Sequence, residues 1–336
     1  MPMGHTGVVV IGRNEGERLR RCIGSLADTP ARVYVDSASS DDSVAWARGE
    51  GVHVIELSTP PKLTAARGRN AGLRHLVAAY PELRYVQFVD GDCEVQPGWL
   101  AAAAAALDAD PELGAVFGRR RERHPERSIY NALCDDEWNV PVGEALTCGG
   151  DVMCRIDAVS AIGGYDETMI AGEDPDMSTR LRQTGWRIRR LDADMTLHDA
   201  AILHFGQWWK RAKRAGHAFA ELAHRHPGIG RPDWSRSCHS SVVWSVGLPA
   251  ATIATIVLAL FVGPWPLLLT VALLLLWPLK MIQLARRARH EGLAGPVARA
   301  RGAAFLVAKF PQTLGILEFH ANRAQRRESR LIEYKN

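Results

Sequence analysis

The chain has 336 residues, with 41 Lys and Arg against 37 Asp and Glu, and 47% of its residues are hydrophobic. This composition, with 30 Gly and 18 Pro, excludes a disordered or fibrous protein and suffices for one large domain or two medium ones. The net charge of +4 is too small to favour a dedicated nucleic-acid-binding protein. The six cysteines show no CxxC pair, which argues against a disulfide scaffold or a zinc module and favours a reducing compartment.

Short β-rich runs alternate with helical stretches over residues 1–204. The predicted strands are Gly7–Ile11, Arg32–Val35, His53–Glu56, Tyr85–Val89 and Leu113–Phe117. After the first strand, Asn14 is predicted to cap a helix, because Glu17 follows three residues later in the spacing of a capping box. Strand–helix alternation at this spacing predicts an α/β fold with a Rossmann-like, mostly parallel sheet.

The most abrupt change in composition begins at Ser237. Ser237–Leu279 contains 43 consecutive residues without Asp, Glu, Lys or Arg, whereas one membrane crossing takes about 20 apolar residues. Gly263–Pro266 interrupts this run near its middle, so the sequence predicts a transmembrane hairpin with helices at Val242–Val262 and Trp265–Leu284. The alternative is a buried helical pair in a soluble core, although a soluble pair of this length would normally show a polar face.

Basic residues flank the predicted hairpin on both sides, and the turn between its helices carries no charge. The flanking residues are Arg231, Arg236, Lys280, Arg286, Arg287 and Arg289. By the positive-inside rule, both flanks are expected in the cytoplasm and the turn outside. Residues 285–336 hold 11 Lys and Arg against 4 Asp and Glu, and we expect this basic tail to face anionic lipid head groups. Within the tail, Ala303–Phe319 is predicted to be an interfacial helix.

Three polar clusters directly follow predicted strands. Asn14-Glu15 follows the first strand, Asp36–Asp41 the second and Asp90-Gly91-Asp92 the fourth. In open α/β sheets, ligands bind beyond the carboxyl ends of the strands. Each cluster alone is compatible with ordinary turn chemistry. Two carboxylates so close together repel each other unless a cation or hydrogen-bond donors compensate them, so the third cluster points to a divalent cation with a bound phosphate.

Five segments, in order, resemble the family 2 glycosyltransferases. They span residues 7–200 and read VVVIGRNE, VYVDSASSDDS, ARGRNAGL, DGD and AGEDPDMSTRLRQTGWRIRRL. The resemblance implies the A-type glycosyltransferase fold and a nucleotide-sugar donor, with Mg²⁺ or Mn²⁺ as cofactor. A UDP-sugar is the implied donor, because the family mostly uses uridine.

The resemblance also implies roles for single residues. Asp174 would be the catalytic base, and Glu173 would orient it or the acceptor. Asp36 would contact the nucleobase, while Asp90 and Asp92 would contact the diphosphate and its metal.

Further donor-binding residues come from the loops of the same family pattern. Asn14 lies in the loop after the first strand and is assigned to the donor-binding set. Either Arg67 or Arg69 would lie near the base or the phosphates. Gly150 and Asp151 match a loop that lines the donor-sugar pocket.

One histidine is a candidate for a further metal ligand. His198 falls where several family members supply such a ligand, and His204 is a competitor. A purely structural histidine is the alternative for either position.

The predicted organisation has four parts. A catalytic nucleotide-sugar-binding domain covers residues 1–204, a basic and Trp-rich interfacial segment 205–240, the transmembrane hairpin 241–285, and a cytoplasmic tail with an amphipathic helix 286–336. The expected function is inverting, metal-dependent sugar transfer to a hydroxyl or phosphate of a membrane-associated acceptor. The acceptor would be lipid-linked or a membrane-bound glycan, at the cytoplasmic leaflet of the plasma membrane.

Other functions fit the sequence less well. A nucleotidyltransferase usually has a Gly-rich loop after the first strand, where this chain has GRNEGERLRR, and a dehydrogenase would show GxGxxG there. A non-catalytic membrane scaffold is a further alternative, against which the retained acidic motifs argue. Gln207–Arg211 partly resembles the QxxRW signature of processive synthases, but no Trp follows Arg211, and an interfacial helix explains the segment equally well.

Overall fold

A computed structural model of the chain describes residues 5–229 and 232–329. The chain folds into two compact units, which we call the sheet unit (residues 1–124 and 134–201) and the helical unit (residues 125–133 and 202–336). Arg231 and the part of the basic tail after Ser329 lie outside the described residues. The four-part division at residues 204, 240 and 285 stays a prediction.

The sheet unit is built on one sheet of nine strands, whose order is β3-β2-β1-β4-β8-β6-β9-β5 with β7 paired to β9. The strands are β1 Thr6–Gly12, β2 Arg32–Asp36, β3 His53–Glu56, β4 Tyr85–Asp90, β5 Cys93–Val95, β6 Leu113–Glu122, β7 Gly143–Ala145, β8 Val152–Arg155 and β9 Arg187–His198. The first four strands in sequence are parallel, whereas β8 runs antiparallel to β4 and β6. The predicted α/β class is therefore confirmed, with a parallel half followed by a mixed half.

Helices cover both faces of this sheet. The helices before residue 202, of which α5 lies partly in the helical unit, are α1 Glu17–Gly24, α2 Ser43–Gly49, α3 Ala65–Ala79, α4 Trp99–Ala109, α5 Ile129–Glu137, α6 Ile156–Ala161 and α7 Glu173–Gln183. The apolar run Val8–Ile11 in β1 is buried throughout, as expected for a central strand that is covered on both faces. Burial of the central strands places the polar residues at their ends, where the chain leaves the sheet.

The predicted cap of the first helix is wrong. The helix begins at Glu17 with Gly16 at the capping position, and no side chain caps it. Asn14 instead has a positive φ of 54°, and its side-chain oxygen accepts a hydrogen bond from the Ser40 backbone N–H at 2.7 Å. The Asn14 side chain therefore links the loops after β1 and β2 and does not cap the helix.

The helical unit contains α8 Phe205–Arg225, α9 Trp234–Val242, α10 Leu248–Val262, α11 Pro266–His290, α12 Gly295–Val307 and α13 Lys309–Ala324. A π-helical turn, Val243–Gly247, joins α9 to α10, so one continuous helical segment covers Trp234–Val262. The predicted helix over Ala303–Phe319 is divided at Ala308, which separates α12 from α13, and its interfacial position stays a prediction. Pro311 lies in the first turn of α13, where a proline needs no backbone N–H, and so marks the beginning of a helix.

Two helical segments, Trp234–Val262 and Pro266–His290, are long and apolar enough to cross a membrane, with mean hydropathies of 2.2 and 2.0. Only 6% of the residues in the most apolar stretch of each are buried. Leu260 and Phe261 are 79% and 80% exposed. The alternative of a buried pair in a soluble core therefore disagrees with the structure of these segments.

Helix α3 packs closely on β1 because Gly72 has no side chain. A Cβ at this position would lie 2.3 Å from Val9 Cγ1, and both residues belong to the packed interior. Since a valine side chain in a buried strand is stiff, the two elements would have to separate to admit even a methyl group. This contact sets the position of α3 against the sheet. It thereby also sets the position of Arg69, which lies one turn earlier in the helix.

We expect Gly72→Ala to lower the thermal unfolding temperature of the sheet unit. Overpacking typically costs about 1–3 kcal/mol, which outweighs the gain of about 1 kcal/mol in helix propensity. Gly24→Ala is the matched control, because a Cβ at that helical position meets no atom within 4 Å. Equal unfolding temperatures for the two variants in detergent would contradict the packing argument.

Candidate active site

Three strand ends lie side by side at one edge of the sheet. In the register of the central strands, Gly12 of β1 is opposite Asp36 of β2, and Ile11 is opposite Asp90 of β4. The Gly91 N–H donates to the Ile11 carbonyl at 2.7 Å, and a Cβ at Gly91 would lie 3.1 Å from that oxygen. The loop after β4 thus passes directly over the end of β1, which gathers the three polar clusters at one rim.

Asp36 is fixed within this rim by hydrogen bonds. Its carboxylate accepts from the Tyr34 hydroxyl at 2.8 Å, and from the Ser39 N–H and hydroxyl at 2.8 and 2.5 Å. Ser39 Oγ in turn accepts from the Asn14 N–H at 2.8 Å. The loops after β1 and β2 form one connected surface, and the nucleobase contact of Asp36 stays a prediction.

Arg69 of α3 connects the ends of two distant elements. Its guanidinium donates to Asp90 at 2.9 Å and to Glu173 at 3.2 Å, and it lies 3.1 Å from Asp174. The Arg69 side chain is only 3% exposed. Gly150 makes room for it, because a Cβ there would lie 2.1 Å from Arg69 Nη2. One buried guanidinium therefore joins the end of β4 to the first turn of α7.

Arg67 and Arg69 lie in different surroundings. Arg67 donates to the carbonyl oxygens of Ser58 and Pro61, in the loop after β3, at 2.7 and 2.8 Å. Of the two arginines that the sequence leaves open, Arg69 is the one that contacts the acidic residues of the rim.

Arg120 of β6 is a second buried cation of this site, which the sequence did not indicate. It lies 3.3 Å from Asp90 and 3.6 Å from Asp151, and its guanidinium covers the Trp138 ring at 4.9 Å. Arg120 stands in a run of charged residues, RRRER, that resembles an ordinary solvated face. No local signal distinguishes it from its neighbours, because only the pairing of β6 inside the sheet brings it to the rim.

Asp151 holds the backbone of Asp90 in place by a hydrogen bond. Its carboxylate accepts from the Asp90 N–H at 3.0 Å and from the Thr196 hydroxyl at 2.7 Å, and its side chain is fully buried. The predicted place of Asp151 in the donor-sugar pocket stays a prediction. The geometry indicates that Asp151 positions Asp90, which follows from its place at the start of the buried strand β8.

His198 lies at the end of β9, where it pairs with Cys93 next to Asp92. Its Nε2 is 3.2 Å from Asp92 Oδ2, and its Nδ1 is 3.7 Å from Glu122 Oε2. The Trp138 ring packs edge-on against the imidazole, with ring centroids 4.7 Å apart. The competitor His204 belongs to the helical unit, where it caps α8 in a capping box with Gln207.

The site contains more negative than positive charge. Six carboxyl groups contribute to it, namely Asp90, Asp92, Glu122, Asp151, Glu173 and Asp174, against the two arginines Arg69 and Arg120. A carboxylate beside a neutral imidazole nitrogen is a donor set that Mn²⁺ accepts readily, and Mg²⁺ is satisfied by the carboxylate oxygens. Asp92 and His198, with the nearby thiol of Cys93, form one of the groups that could hold a metal ion, and Asp90, Cys93 and Asp151 form another. The residues present therefore fit a divalent cation.

The pKa values of the two acidic residues nearest the arginines are shifted in opposite directions. Burial raises the pKa of Asp174 to about 7, and Glu173 and Asp90 add to the rise while Arg69 opposes it. Burial acts in the same direction on Asp90, but there Arg69 and Arg120 together hold the pKa below its ordinary value. Asp90 thus remains an anion at neutral pH, whereas Asp174 is able to take up a proton near pH 7.

Comparisons with known proteins agree with this geometry. Residues 7–146 match the family described as Glycosyl transferase family 2. The pre-mycofactocin glycosyltransferase of Mycobacterium tuberculosis is 28% identical over 273 residues, which cover 76% of this chain and 56% of the relative. The succinoglycan biosynthesis protein ExoA of Rhizobium meliloti is 27% identical over 217 residues, or 61% of this chain and 66% of the relative. The chain thus spans little more than half the length of the mycobacterial relatives.

A solved structure shares the fold over most of the chain. The mannosyltransferase PcManGT from Pyrobaculum calidifontis, in complex with GDP-Man and Mn²⁺, superposes with a TM-score of 0.59 at 21% identity. The match covers 92% of this chain and 87% of the other. It confirms the A-type glycosyltransferase fold.

His198→Asn should weaken Mn²⁺ binding by at least about tenfold, because loss of one ligand removes a large share of the coordination energy. His204→Asn is the matched control, since asparagine preserves a helix cap and His204 lies outside the site. Free Mn²⁺ is measured by electron paramagnetic resonance during titration of the detergent-purified protein. If both variants bind Mn²⁺ as the wild type does, His198 is a structural histidine.

Proposed function

Because residues 7–146 match Glycosyl transferase family 2, we propose that this chain transfers a sugar from a nucleotide-diphosphate donor to a membrane-associated acceptor, with inversion at the anomeric carbon. The observation that carries the proposal is the bridge that Arg69 makes between Asp90 and the Glu173–Asp174 pair. The bridge holds Asp90, our candidate for the diphosphate and its metal, close to the candidate base Asp174, which supports a direct displacement.

The donor would lie along the rim formed by the loops after β1, β2 and β4. Asp36 is our candidate for the nucleobase, and Asp92 and His198 would hold the divalent cation. When bound, the cation would neutralise charge on the diphosphate. Arg120 lies beside the same carboxylates and would add a fixed positive charge near the phosphates.

Asp174 would act as the general base. Its carboxylate would take the proton from the acceptor hydroxyl while the oxygen forms a bond to the anomeric carbon and the bond from that carbon to the diphosphate breaks. A positioned base contributes about 10²–10⁴ in rate. Glu173, held by the same Arg69, would fix the orientation of the pair. A phosphate acceptor would arrive already ionised and would depend less on this base.

The proposed donor is a UDP-sugar, on the strength of the family resemblance. PcManGT was solved with GDP-Man, so GDP-sugars form the second group to be tested. The relatives are named after different compounds, pre-mycofactocin and succinoglycan, and the acceptor proposed here is a lipid-linked or membrane-bound glycan.

Asp174→Asn should abolish release of nucleoside diphosphate from the donor in the presence of membrane extract, while Mn²⁺-dependent donor binding stays within about twofold. The amide cannot accept a proton but keeps the size of the side chain.

In the wild type, kcat/KM should fall as the pH drops below about 7, because burial raises the pKa of Asp174 to about 7 and the base must be ionised. Activity is measured with UDP- and GDP-sugars, and binding by calorimetry.

Asp176→Asn is the control for this experiment, because Asp176 lies in the same helix and pairs with Arg180 at 2.8 Å. Retained turnover in Asp174→Asn, or loss of donor binding there alone, would refute the assignment of the base. If no nucleotide binds to the wild type, the chain is better explained as a non-catalytic scaffold.

We further propose that Trp234–Val262 and Pro266–His290 cross the membrane as a hairpin, with the sheet unit in the cytoplasm. The exposed apolar surface of both helices supports insertion, because water would be in contact with nearly the whole of it. Lys280 and the arginines after it support the cytoplasmic side for the second end.

Cysteine labelling tests this topology in a Cys238→Ser background, since the other five cysteines are buried. Trp265→Cys, in the turn, should react with a membrane-impermeant maleimide in intact cells. His290→Cys should react only after permeabilisation. The reverse pattern would contradict the orientation, and labelling of both positions in intact cells would contradict insertion.

A further inference from the structure

We propose that an open cavity of about 300 Å³ at the surface of the helical unit, where Arg323 and Arg327 are exposed, binds a phosphate group, carried by an anionic lipid or free in solution. It is lined by Glu221, His224, Arg225, Phe319, Arg323 and Arg327, with Ser329 at its edge. The cavity belongs to the helical unit, whereas the donor rim belongs to the sheet unit, and only the assignment of the cavity to a lipid depends on the proposed membrane insertion.

Two helix ends and a short turn build this cavity. The backbones of α8 and α13 approach closely at two glycines, because a Cβ at Gly216 would lie 2.0 Å from the Gln312 carbonyl oxygen, and one at Gly315 would lie 2.0 Å from that of Lys213. Such close packing holds the two helices rigidly together. The cavity lies toward their C-terminal ends.

The chain after α13 is folded back over the cavity by specific hydrogen bonds. The Arg327 N–H donates to the Asn322 carbonyl at 2.8 Å. The Ser329 hydroxyl lies 2.9 Å from His217 Nε2 and accepts from Asn322 Nδ2 at 3.3 Å. Arg327 is therefore fixed near the cavity by its backbone, although it lies beyond the helix.

The charges in the cavity do not balance. Arg225 is neutralised by Glu221, to which it donates at 2.8 and 3.0 Å. Within residues 5–229 and 232–329, neither Arg323 nor Arg327 forms an ion pair. Two guanidinium groups without an acidic partner at one small cavity suit a phosphate, which accepts two parallel hydrogen bonds from each.

Stabilisation of the helix ends does not account for all these residues. Cations are favourable in the last turn of a helix, and this explains Arg225 and Arg323. It does not explain Arg327, which lies outside any helix yet lines the same cavity.

The position of the cavity favours a lipid as the source of the phosphate. Phe219, on the α8 turn before Glu221, stacks with Trp234 at a centroid distance of 6.3 Å. Trp234 begins the first candidate membrane segment. Tryptophan is typical of the level of the lipid head groups, which is where lipid phosphates lie.

The test compares two double variants that remove equal charge. Arg323→Gln/Arg327→Gln alters the cavity, whereas Arg299→Gln/Arg326→Gln removes two arginines that do not line it. The detergent-purified full chain is titrated by calorimetry with short-chain phosphatidic acid, with short-chain phosphatidylcholine and with inorganic phosphate. We expect phosphatidic acid to bind roughly tenfold or more weakly to the cavity variant and unchanged to the other.

The probes separate the two sources of phosphate. Binding of phosphatidic acid without inorganic phosphate assigns the site to a lipid, and binding of both with the same dependence on the cavity arginines assigns it to phosphate itself. Equal affinities in the two double variants, or no binding of either phosphate probe to the wild type, overturns the proposal. Mn²⁺-dependent UDP and GDP titrations of the same samples report on the donor site, so a failure there is distinguished from a failure here.

Discussion

The buried guanidinium of Arg69 is the interaction on which the candidate active site depends. Three carboxylates, those of Asp90, Glu173 and Asp174, come from β4 and α7 and would repel each other without it. Removing one partner of a buried ionic cluster typically costs about 3–5 kcal/mol, because the remaining charges stay buried and uncompensated. Gly72 sets the height of the helix that carries Arg69, and Gly150 leaves space for its head group. Two positions without a side chain thus determine where one charge lies.

That charge also separates the roles of the acidic residues. Asp90 has two arginines beside it and remains ionised, while Asp174 has one arginine and two competing carboxylates, so that burial dominates its titration. A pair of carboxyl groups whose environments push their pKa values apart is typical of sites in which one group binds charge and another transfers a proton. Asp92 differs from both, because its carboxylate lies 3.2 Å from the imidazole Nε2 of His198. Three aspartates of the same site therefore lie in three different electrostatic environments.

Much of this fold could be predicted from the sequence, because buried parallel strands read as short apolar runs. His53–Glu56 was predicted with the bounds it has, and Tyr85–Val89 is short by one residue. The second half of β6 was missed, since it consists largely of charged residues whose burial depends on pairing with β9. Arg120 and Glu122 escaped for the same reason, whereas Trp138, which packs on both Arg120 and His198, follows α5 and belongs to none of the motifs. The resemblance selected Asp36, Asp90, Asp92 and His198, whose roles stay predictions, whereas the contact of Arg69 rather than Arg67 with the acidic residues required the packing of α3.

The helical unit shows the opposite distribution of polarity from the sheet unit. Its small hydroxyl groups lie between helices, where Ser245 and Thr313 are 2.7 Å apart and Thr255 and Thr270 are also 2.7 Å apart. In the two candidate membrane segments and the turn between them, many large apolar side chains are exposed, with Leu260, Phe261 and Trp265 the most exposed. In water, this arrangement would expose a large apolar surface and few polar groups to the solvent. In a bilayer it is favourable, because each hydroxyl finds a partner within the protein and close helix packing replaces the hydrophobic effect. If the two segments insert as proposed, a membrane-bound acceptor would reach the protein by diffusion in two dimensions, without leaving the membrane.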